Sequence, residues 1–282
     1  MPCSRCHSTT PFHLPPISAS VASTGHPGLQ SKRSCGGRGI AVVSFSGLQI
    51  FSDILDNPLP DRKITMKIGI IGAGHIGQAL ARLAVRAGHQ VTISNSRGPE
   101  TLTELGQRIG CAVATAAQAA RFGEVVVVTV PFTHLFQIDP APLAGKIIVD
   151  TNNYYPDRDG RIAALDRHET TTSALVAAHF PRSRVVKAFN AILATDFDTP
   201  APLAGRRALP IAGDDAEAKR IVAALQDQFG FDTLDAGSLA DSWRFERAKP
   251  AYCIPLDRAG LAAALAQAQR DVELPHGSWR RG

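Results

Sequence analysis

The run from Met66 to Ala84 confines this chain to a narrow class of folds. Met66-Lys67-Ile68-Gly69-Ile70-Ile71 reads as a short apolar strand, Gly72-Ala73-Gly74-His75-Ile76-Gly77 as a glycine-rich turn, and Gln78-Ala79-Leu80-Ala81-Arg82-Leu83-Ala84 as a helix. The three follow one another without a gap. That is the context in which G-x-G-x-x-G marks the first turn of a dinucleotide-binding βαβ unit.

Each glycine has its own task. Gly72 lets the chain leave the strand in a tight turn. Gly74 has no side chain, so a pyrophosphate can approach the backbone, and Gly77 lets the helix pack closely on the strand. The helix start presents free N–H groups and its positive dipole end to the phosphates. Ile76, Leu80, Leu83, Ala84 and Ala87 recur at helical spacing on one buried face, and Gly88 ends the helix.

The end of the next strand, Gln90-Val91-Thr92-Ile93, discriminates between dinucleotides. A carboxylate there would bond the ribose 2′-hydroxyl of NAD and repel a 2′-phosphate. This chain reads Ser94-Asn95-Ser96-Arg97-Gly98-Pro99, with no acid before Glu100. Hydroxyls, an amide and a guanidinium suit a 2′-phosphate, so NADP(H) is the expected cofactor. The same residues also suit a polar loop entering a helix, with Pro99 in its first turn.

Glu124-Val125-Val126-Val127-Val128-Thr129-Val130 is a continuous apolar run, as expected of a central parallel strand buried on both faces. In such sheets the carboxyl ends of the strands line the ligand crevice. Val130, Pro131 and Phe132 are therefore expected along the cofactor. Two further strands, Lys146–Asp150 and Arg184–Lys187, lead into Thr151-Asn152-Asn153-Tyr154-Tyr155-Pro156 and Ala188-Phe189-Asn190-Ala191-Ile192-Leu193-Ala194. Asn152 and Asn190 are candidates for holding the nicotinamide and its acceptor, although Asn152 and Asn153 are also ordinary turn formers. Lys187 also fits a solvated strand position, and His134 fits a helix start better than a catalytic base. Asp214-Asp215 reads as the start of a helix over 216–229 rather than a metal site. No carboxylate pair and no Ser/His/Asp arrangement stands out, so no catalytic residue and no metal ligand is assigned.

Residues before Met66 differ in kind. Six basic groups (Arg5, Lys32, Arg33, Arg38, Arg62, Lys63) and three acids (Asp53, Asp56, Asp61) give this leader +3 of the net charge of +5. It is rich in Ser, Pro, Gly and His. Three readings compete for residues 1–65: an upstream extension from a mistaken start codon, a transit peptide, and a disordered tail. The first is preferred because Met66 directly precedes the first core strand. Cys3, Cys6 and His7 lack a second ligand pair for zinc. No basic stripe with interleaved aromatics follows Met66, so nucleic acid is not an expected partner. No apolar run is long enough to cross a membrane. Cys111 and Cys253 fit an intracellular, reduced, cytoplasmic protein.

The glycine turn, Ser96-Arg97, Lys187-Ala188-Phe189-Asn190, Gly213-Asp214-Asp215-Ala216-Glu217-Ala218-Lys219 and Asp235-Ala236-Gly237-Ser238-Leu239 occur in this order. Together they resemble the NADPH-dependent oxidoreductases of coenzyme F420, a deazaflavin hydride carrier, from Met66 to about Gln269. The nucleotide part also resembles the reductase portion of ferric reductases that pass electrons through a flavin. The resemblance implies that Ala73, Gly74, His75 and Ile76 face the pyrophosphate and that Ser96 and Arg97 hold the 2′-phosphate. It places Val130 and Phe132 on the adenosine side, and Asn190, Ile192 and Ala194 by the nicotinamide and deazaflavin. It further implies direct hydride transfer to coenzyme F420 or a flavin, without a dedicated acid or base, in a homodimer. The segments Trp243-Arg244-Phe245-Glu246-Arg247 and Tyr252-Cys253-Ile254-Pro255 depart from the family's usual pattern, which leaves the acceptor open.

The expected fold is α/β: a Rossmann-type doubly wound parallel sheet over 66–190 and a small C-terminal α/β cap over 191–282. The cap should carry strand Ala208–Ala212, helix Asp215–Phe229, strand Asp232–Asp235 and a terminal helix near Leu256–Gln269. Rival functions are a reductase of a small carbonyl or imine and an NADP-binding redox sensor without turnover. A charge-assisted Arg contact contributes about 1.5–3 kcal/mol. Arg97→Ala is therefore expected to lower the ratio of NADPH to NADH affinity by roughly tenfold to a hundredfold. A titration that finds the ratio unchanged removes the 2′-phosphate role.

Overall fold

The structure, a computed structural model, describes residues 65–198, 205–275 and 277–278. The expectations for the leader, with Cys3, Cys6 and His7, lie outside the described residues. Eight strands form one sheet in the order β3-β2-β1-β4-β5-β6-β7-β8. They are β1 (Lys67–Ile71), β2 (Gln90–Ser94), β3 (Ala112–Val113), β4 (Val125–Val128), β5 (Ile147–Asp150), β6 (Arg184–Lys187), β7 (Ala208–Gly213) and β8 (Asp232–Asp235). The first six run parallel in the Rossmann order, with the switch point between β1 and β4.

The valine run explains why this sheet is covered on both sides. Side chains alternate between the faces of a strand. Val125 and Val127 of β4 join one apolar cluster with Ile68, Ile70, Leu80 and Ile93. Val126 and Val128 join the opposite one with Ile71, Phe132, Leu135 and Ile148. The main helices are α1 (His75–Arg86), α2 (Thr103–Ile109), α3 (Ala116–Phe122), α4 (Phe132–Leu135), α5 (Pro156–Asp159), α6 (Ala163–Asp166), α7 (Thr172–His179), α8 (Ala216–Gln228) and α9 (Arg258–Gln267). Several begin on side-chain caps. Thr115 and Gln118 form a capping box at α3, Asp215 accepts from the Ala218 N–H at 2.7 Å, and Asp257 accepts from the Gly260 N–H at 2.8 Å.

The C-terminal region contains the two strands and two helices expected of it, but it is built on the same sheet. β7 pairs antiparallel with β6, Val186 opposite Gly213 and Lys187 opposite Ala212, and β8 pairs parallel with β7. Without β7, β6 would be an edge with unpaired backbone groups; the added strands satisfy them. Beside them lies a third apolar cluster that includes Ala236, Phe245, Tyr252 and Leu261. Among the described residues no helix is long and apolar enough to cross a membrane.

Close packing of α3 on β1 depends on two glycines, Gly69 in the strand and Gly123 just past the helix. A Cβ added at Gly69 would lie 2.1 Å from the Ala119 carbonyl oxygen of α3. Backbone cannot yield as a side chain does. Gly69→Ala should therefore reduce the unfolding free energy by about 1–3 kcal/mol, read as a lower urea midpoint at an unchanged slope.

Candidate functional site

The carboxyl ends of β1, β2, β4, β5 and β6 open onto a groove made of two cavities. The first, about 770 Å³, is lined by Gly72–Gly74, Asn95–Arg97, Thr129–Pro131 and His134 among others. The second, about 410 Å³, is lined by Gly74, Ile76, Thr129–Pro131, Asn152, Asn153, Tyr155, Asn190, Ile192 and Tyr252 among others. Gly74, Thr129, Val130 and Pro131 border both.

The glycine turn forms the middle of the groove. Gly72 has φ +114°, a left-handed value that favours glycine, and a Cβ there would meet the Thr129 carbonyl oxygen at 2.6 Å. Thr129 Oγ1 donates to the Gly72 carbonyl at 2.9 Å and closes the turn onto β4. Gly77 packs so closely that a Cβ would lie 2.0 Å from the Gly72 oxygen. At Gly74 a Cβ would meet nothing within 4 Å. Gly74 is the N-cap of α1 and supplies no side-chain cap. The first N–H groups of a twelve-residue helix thus face an open groove, the arrangement that binds phosphate.

At one end of the groove, Asn95 shapes the loop after β2. Its Oδ1 accepts from the N–H groups of Arg97 and Gly98, both at 3.0 Å, and its Nδ2 donates to Thr101 Oγ1 at 2.8 Å. The turn leaves Ser96 and Arg97 exposed at the rim of the first cavity.

At the other end, three loops are tied together by buried polar groups. Asn190 Nδ2 donates to Asn153 Oδ1 at 3.1 Å and to the Phe245 carbonyl at 3.0 Å, while Asn153 Nδ2 donates to the Asn190 carbonyl at 3.0 Å. These bonds fix the Asn190 amide and leave its buried Oδ1 with no partner. Beneath them Lys187, with no solvent exposure, donates to the Asn152 carbonyl at 2.9 Å, Thr172 Oγ1 at 2.7 Å and Ser173 Oγ at 3.1 Å. Those hydroxyls pass the interaction on: Ser173 donates to Asp150 Oδ2 at 2.6 Å, and Thr172 donates to Glu246 Oε1 at 2.5 Å. Lys187 is thus not the solvated strand residue that its position allowed.

Two lining residues, Phe189 (φ 58°) and Cys253 (φ 57°), hold left-handed backbone conformations that non-glycine residues rarely adopt. Each costs of order 1–3 kcal/mol and persists only where its surroundings over-determine it. The wall between them carries Tyr155, whose hydroxyl is hydrogen-bonded to that of Tyr252. Burial, with smaller contributions from Cys253 and Tyr155, pushes the Tyr252 phenol far above its ordinary value.

Of the residues singled out in the sequence, Gly72, Ala73, Gly74, Ile76, Asn95, Ser96, Arg97, Val130, Pro131, Asn152, Asn190, Ile192 and Ala194 line one or both cavities. Four do not. Ser94 is buried at the end of β2, where its Oγ donates to the Ile70 carbonyl at 3.0 Å. Gly77 serves helix packing, and the exposed His75 heads α1 outside both linings. Phe132 corrects an expectation: the turn into α4 directs its ring inward, edge-on to Phe136 at 5.4 Å and near Tyr154 at 6.4 Å. Sequence reading passed over Tyr155, Arg158 and Tyr252. Tyr155 stands in a strand-end loop and Arg158 in the short helix α5 that follows it; Tyr252 was marked only as part of a segment that departs from the family pattern. Among the described residues no group of three or more His, Cys, Asp or Glu could hold a metal ion.

Residues 67–154 match the family described as NADP oxidoreductase, coenzyme F420-dependent. The hypothetical protein SMa0349 of Sinorhizobium meliloti is 30% identical, with a TM-score of 0.59 over 69% of this chain and 96% of that one. A proposed F420-dependent NADP-reductase from Arthrobacter sp. FB24 is also 30% identical, with a TM-score of 0.54 over 62% and 86% of the two chains. Rat metalloreductase STEAP3 is 33% identical over 195 residues, 67% of this chain. The chain spans 38% of that relative's length, and 48% of the length of the Escherichia coli protein YjhV, 35% identical over 66 residues. With its Rossmann strand order, open glycine turn and two-cavity groove, the chain belongs to the F420-dependent NADP oxidoreductase family.

Proposed function

We propose that this protein transfers a hydride between NADPH and a flat, redox-active acceptor, a deazaflavin such as coenzyme F420 first and a flavin second. The observation that carries this is the continuous groove from Arg97 past Gly74 to Asn190. Its two ends differ as the two ends of NADPH do. Arg97 and Ser96 suit the 2′-phosphate, and the α1 N-terminus suits the pyrophosphate. The orphaned Asn190 Oδ1 calls for an N–H donor, which a nicotinamide carboxamide has. When bound, the cofactor supplies the hydride at its nicotinamide ring. The chain's own residues align the partners and exclude water.

The second cavity is lined by amides, hydroxyls, Arg158 and apolar side chains, with no carboxylate. A bare metal cation is a poor fit for that lining; a planar ring with carbonyl groups suits it. The resemblance of the nucleotide part to ferric reductases that pass electrons through a flavin makes a flavin the second choice of acceptor. In this reading residues 66–190 hold NADP, residues 191–282 complete the acceptor side, and the protein works as a cytoplasmic homodimer.

Because a Cβ at Gly74 meets open space and its φ of −74° suits any residue, Gly74→Ala should leave the unfolding midpoint unchanged. NADPH affinity, measured by fluorescence titration, should fall about tenfold or more, at least 1.4 kcal/mol. The reaction itself is tested by mixing the protein with NADPH and either a 5-deazaflavin or FMN. Loss of reduced-nicotinamide absorbance is expected with at least one; no loss with either sinks the proposal.

A further inference from the structure

We propose that Tyr155 donates the proton that accompanies hydride transfer, with Tyr252 and Arg158 positioning it. This rests on the function proposed above. A hydride added to a conjugated ring pushes an electron pair onto a ring nitrogen or carbonyl oxygen of the acceptor. NADPH gives up the hydride with its two electrons and becomes NADP⁺, and it brings no proton. Some other group must supply one.

The lining of the second cavity narrows the choice. Thr129 and Thr151 direct their hydroxyl protons to the carbonyls of Gly72 and Val128. The amides of Asn152, Asn153 and Asn190 and the guanidinium of Arg158 are weak acids. Tyr252 and Cys253 are 4% and 2% exposed, so neither exchanges directly with solvent. Tyr155 lines the same cavity but is only half-buried, so water can reprotonate it.

The surroundings of Tyr155 are built for this task. Its backbone N–H donates to Asp159 Oδ2 at 2.9 Å. The same buried carboxylate takes Arg158 Nε and Nη2, both at 2.8 Å, and Nη2 also reaches the Asn153 carbonyl at 3.0 Å. The guanidinium is thereby clamped 4.7 Å from the centre of the Tyr155 ring. Burial keeps the Tyr252 phenol protonated, and its hydroxyl is hydrogen-bonded to that of Tyr155. In the step, the Tyr155 O–H bond breaks and its proton bonds the acceptor atom that received the electron pair. The negative charge left on Tyr155 is met by the Tyr252 hydroxyl and the Arg158 cation, and a solvent proton then restores the phenol.

Tyr155→Phe keeps the ring and its stacking on Arg158 and removes only the hydroxyl. With a 5-deazaflavin or FMN, whichever the wild type reduces, kcat should fall about a hundredfold. The solvent isotope effect on turnover should change with it. NADPH affinity should stay at the wild-type value, and the melting temperature should fall by only about 2–4 °C, the loss of one hydrogen bond to the buried Tyr252 hydroxyl. Affinity for the oxidised acceptor, read by fluorescence quenching without turnover, should weaken only about threefold to tenfold, the loss of one neutral hydrogen bond. Tyr252→Phe should give a smaller loss in kcat, about tenfold. Turnover of Tyr155→Phe within about twofold of wild type, or a kcat loss no larger than the loss of acceptor affinity, overturns the inference and leaves the proposed reaction standing. A wild-type protein that reduces neither acceptor overturns both.

Discussion

The ammonium of Lys187 holds the Asn190 end of the groove together. It sits at the carboxyl end of β6 with no exposure, 3.7 Å from Asp150 and 3.6 Å from Glu246. All three of its protons are used, on Asn152, Thr172 and Ser173. A buried charge is tolerated only when it is paired and its hydrogen-bonding capacity is filled. Here two hydroxyls bridge the cation to two carboxylates, so strand β5, the loop after it, helix α7 and the 3₁₀ turn Leu239–Phe245 share one polar centre. Removing one partner from such a centre costs about 3–5 kcal/mol, because the others remain charged and buried. The amide latch of Asn153 and Asn190 is built directly on this base. The unpartnered Asn190 Oδ1 is therefore held in place rather than free to rotate toward a substitute partner.

The other end of the groove depends on the opposite principle, a set of donors left unsatisfied. Gly74 caps α1 without a side chain, and Gly72 and Gly77 draw the turn tight against β4. The fold keeps several N–H groups facing an opening instead of filling it. Both ends meet at Thr129-Val130-Pro131, just past the point where β4 leaves the sheet. The strand order makes this meeting necessary. Chain connections diverge from the switch point between β1 and β4, so no crossover covers the carboxyl ends there.

Much of this was legible because it is local. A continuous valine run, a glycine turn between strand and helix, and Asp215 before an amphipathic stretch each carry their meaning within a few residues. The strands β5 and β6 fall where their apolar patterns put them. β3, two residues long, has no periodicity to read. Side-chain direction was less legible than position. Phe132 follows a strand end and was expected on the cofactor, but a four-residue helix turns its ring into the core. Ser94 was expected on the cofactor and instead closes β2 onto β1. Lys187 and Glu246 lie far apart in sequence, as do Tyr155 and Tyr252, and nothing local announces either pairing.

Those long-range pairings share a cause, the antiparallel return of β7 along β6. The strand gives the C-terminal region a fixed register against the nucleotide-binding strands, with Lys187 opposite Ala212. From that register the chain runs through α8 and β8 to the 3₁₀ turn Leu239–Phe245, which delivers Glu246 to Lys187 and the Phe245 carbonyl to Asn190. A few residues on, Ala248 and Cys253 turn through left-handed conformations, and Tyr252 reaches Tyr155. Tyr252 and Cys253 line the second cavity, while Trp243, Glu246 and Arg247 line a separate one beside Tyr154 and Lys249. The segment that closes this end of the groove also supplies the Phe245 carbonyl to the Asn190 amide and Glu246 to Lys187, so a change in it reaches the wall, the latch and the lysine centre together.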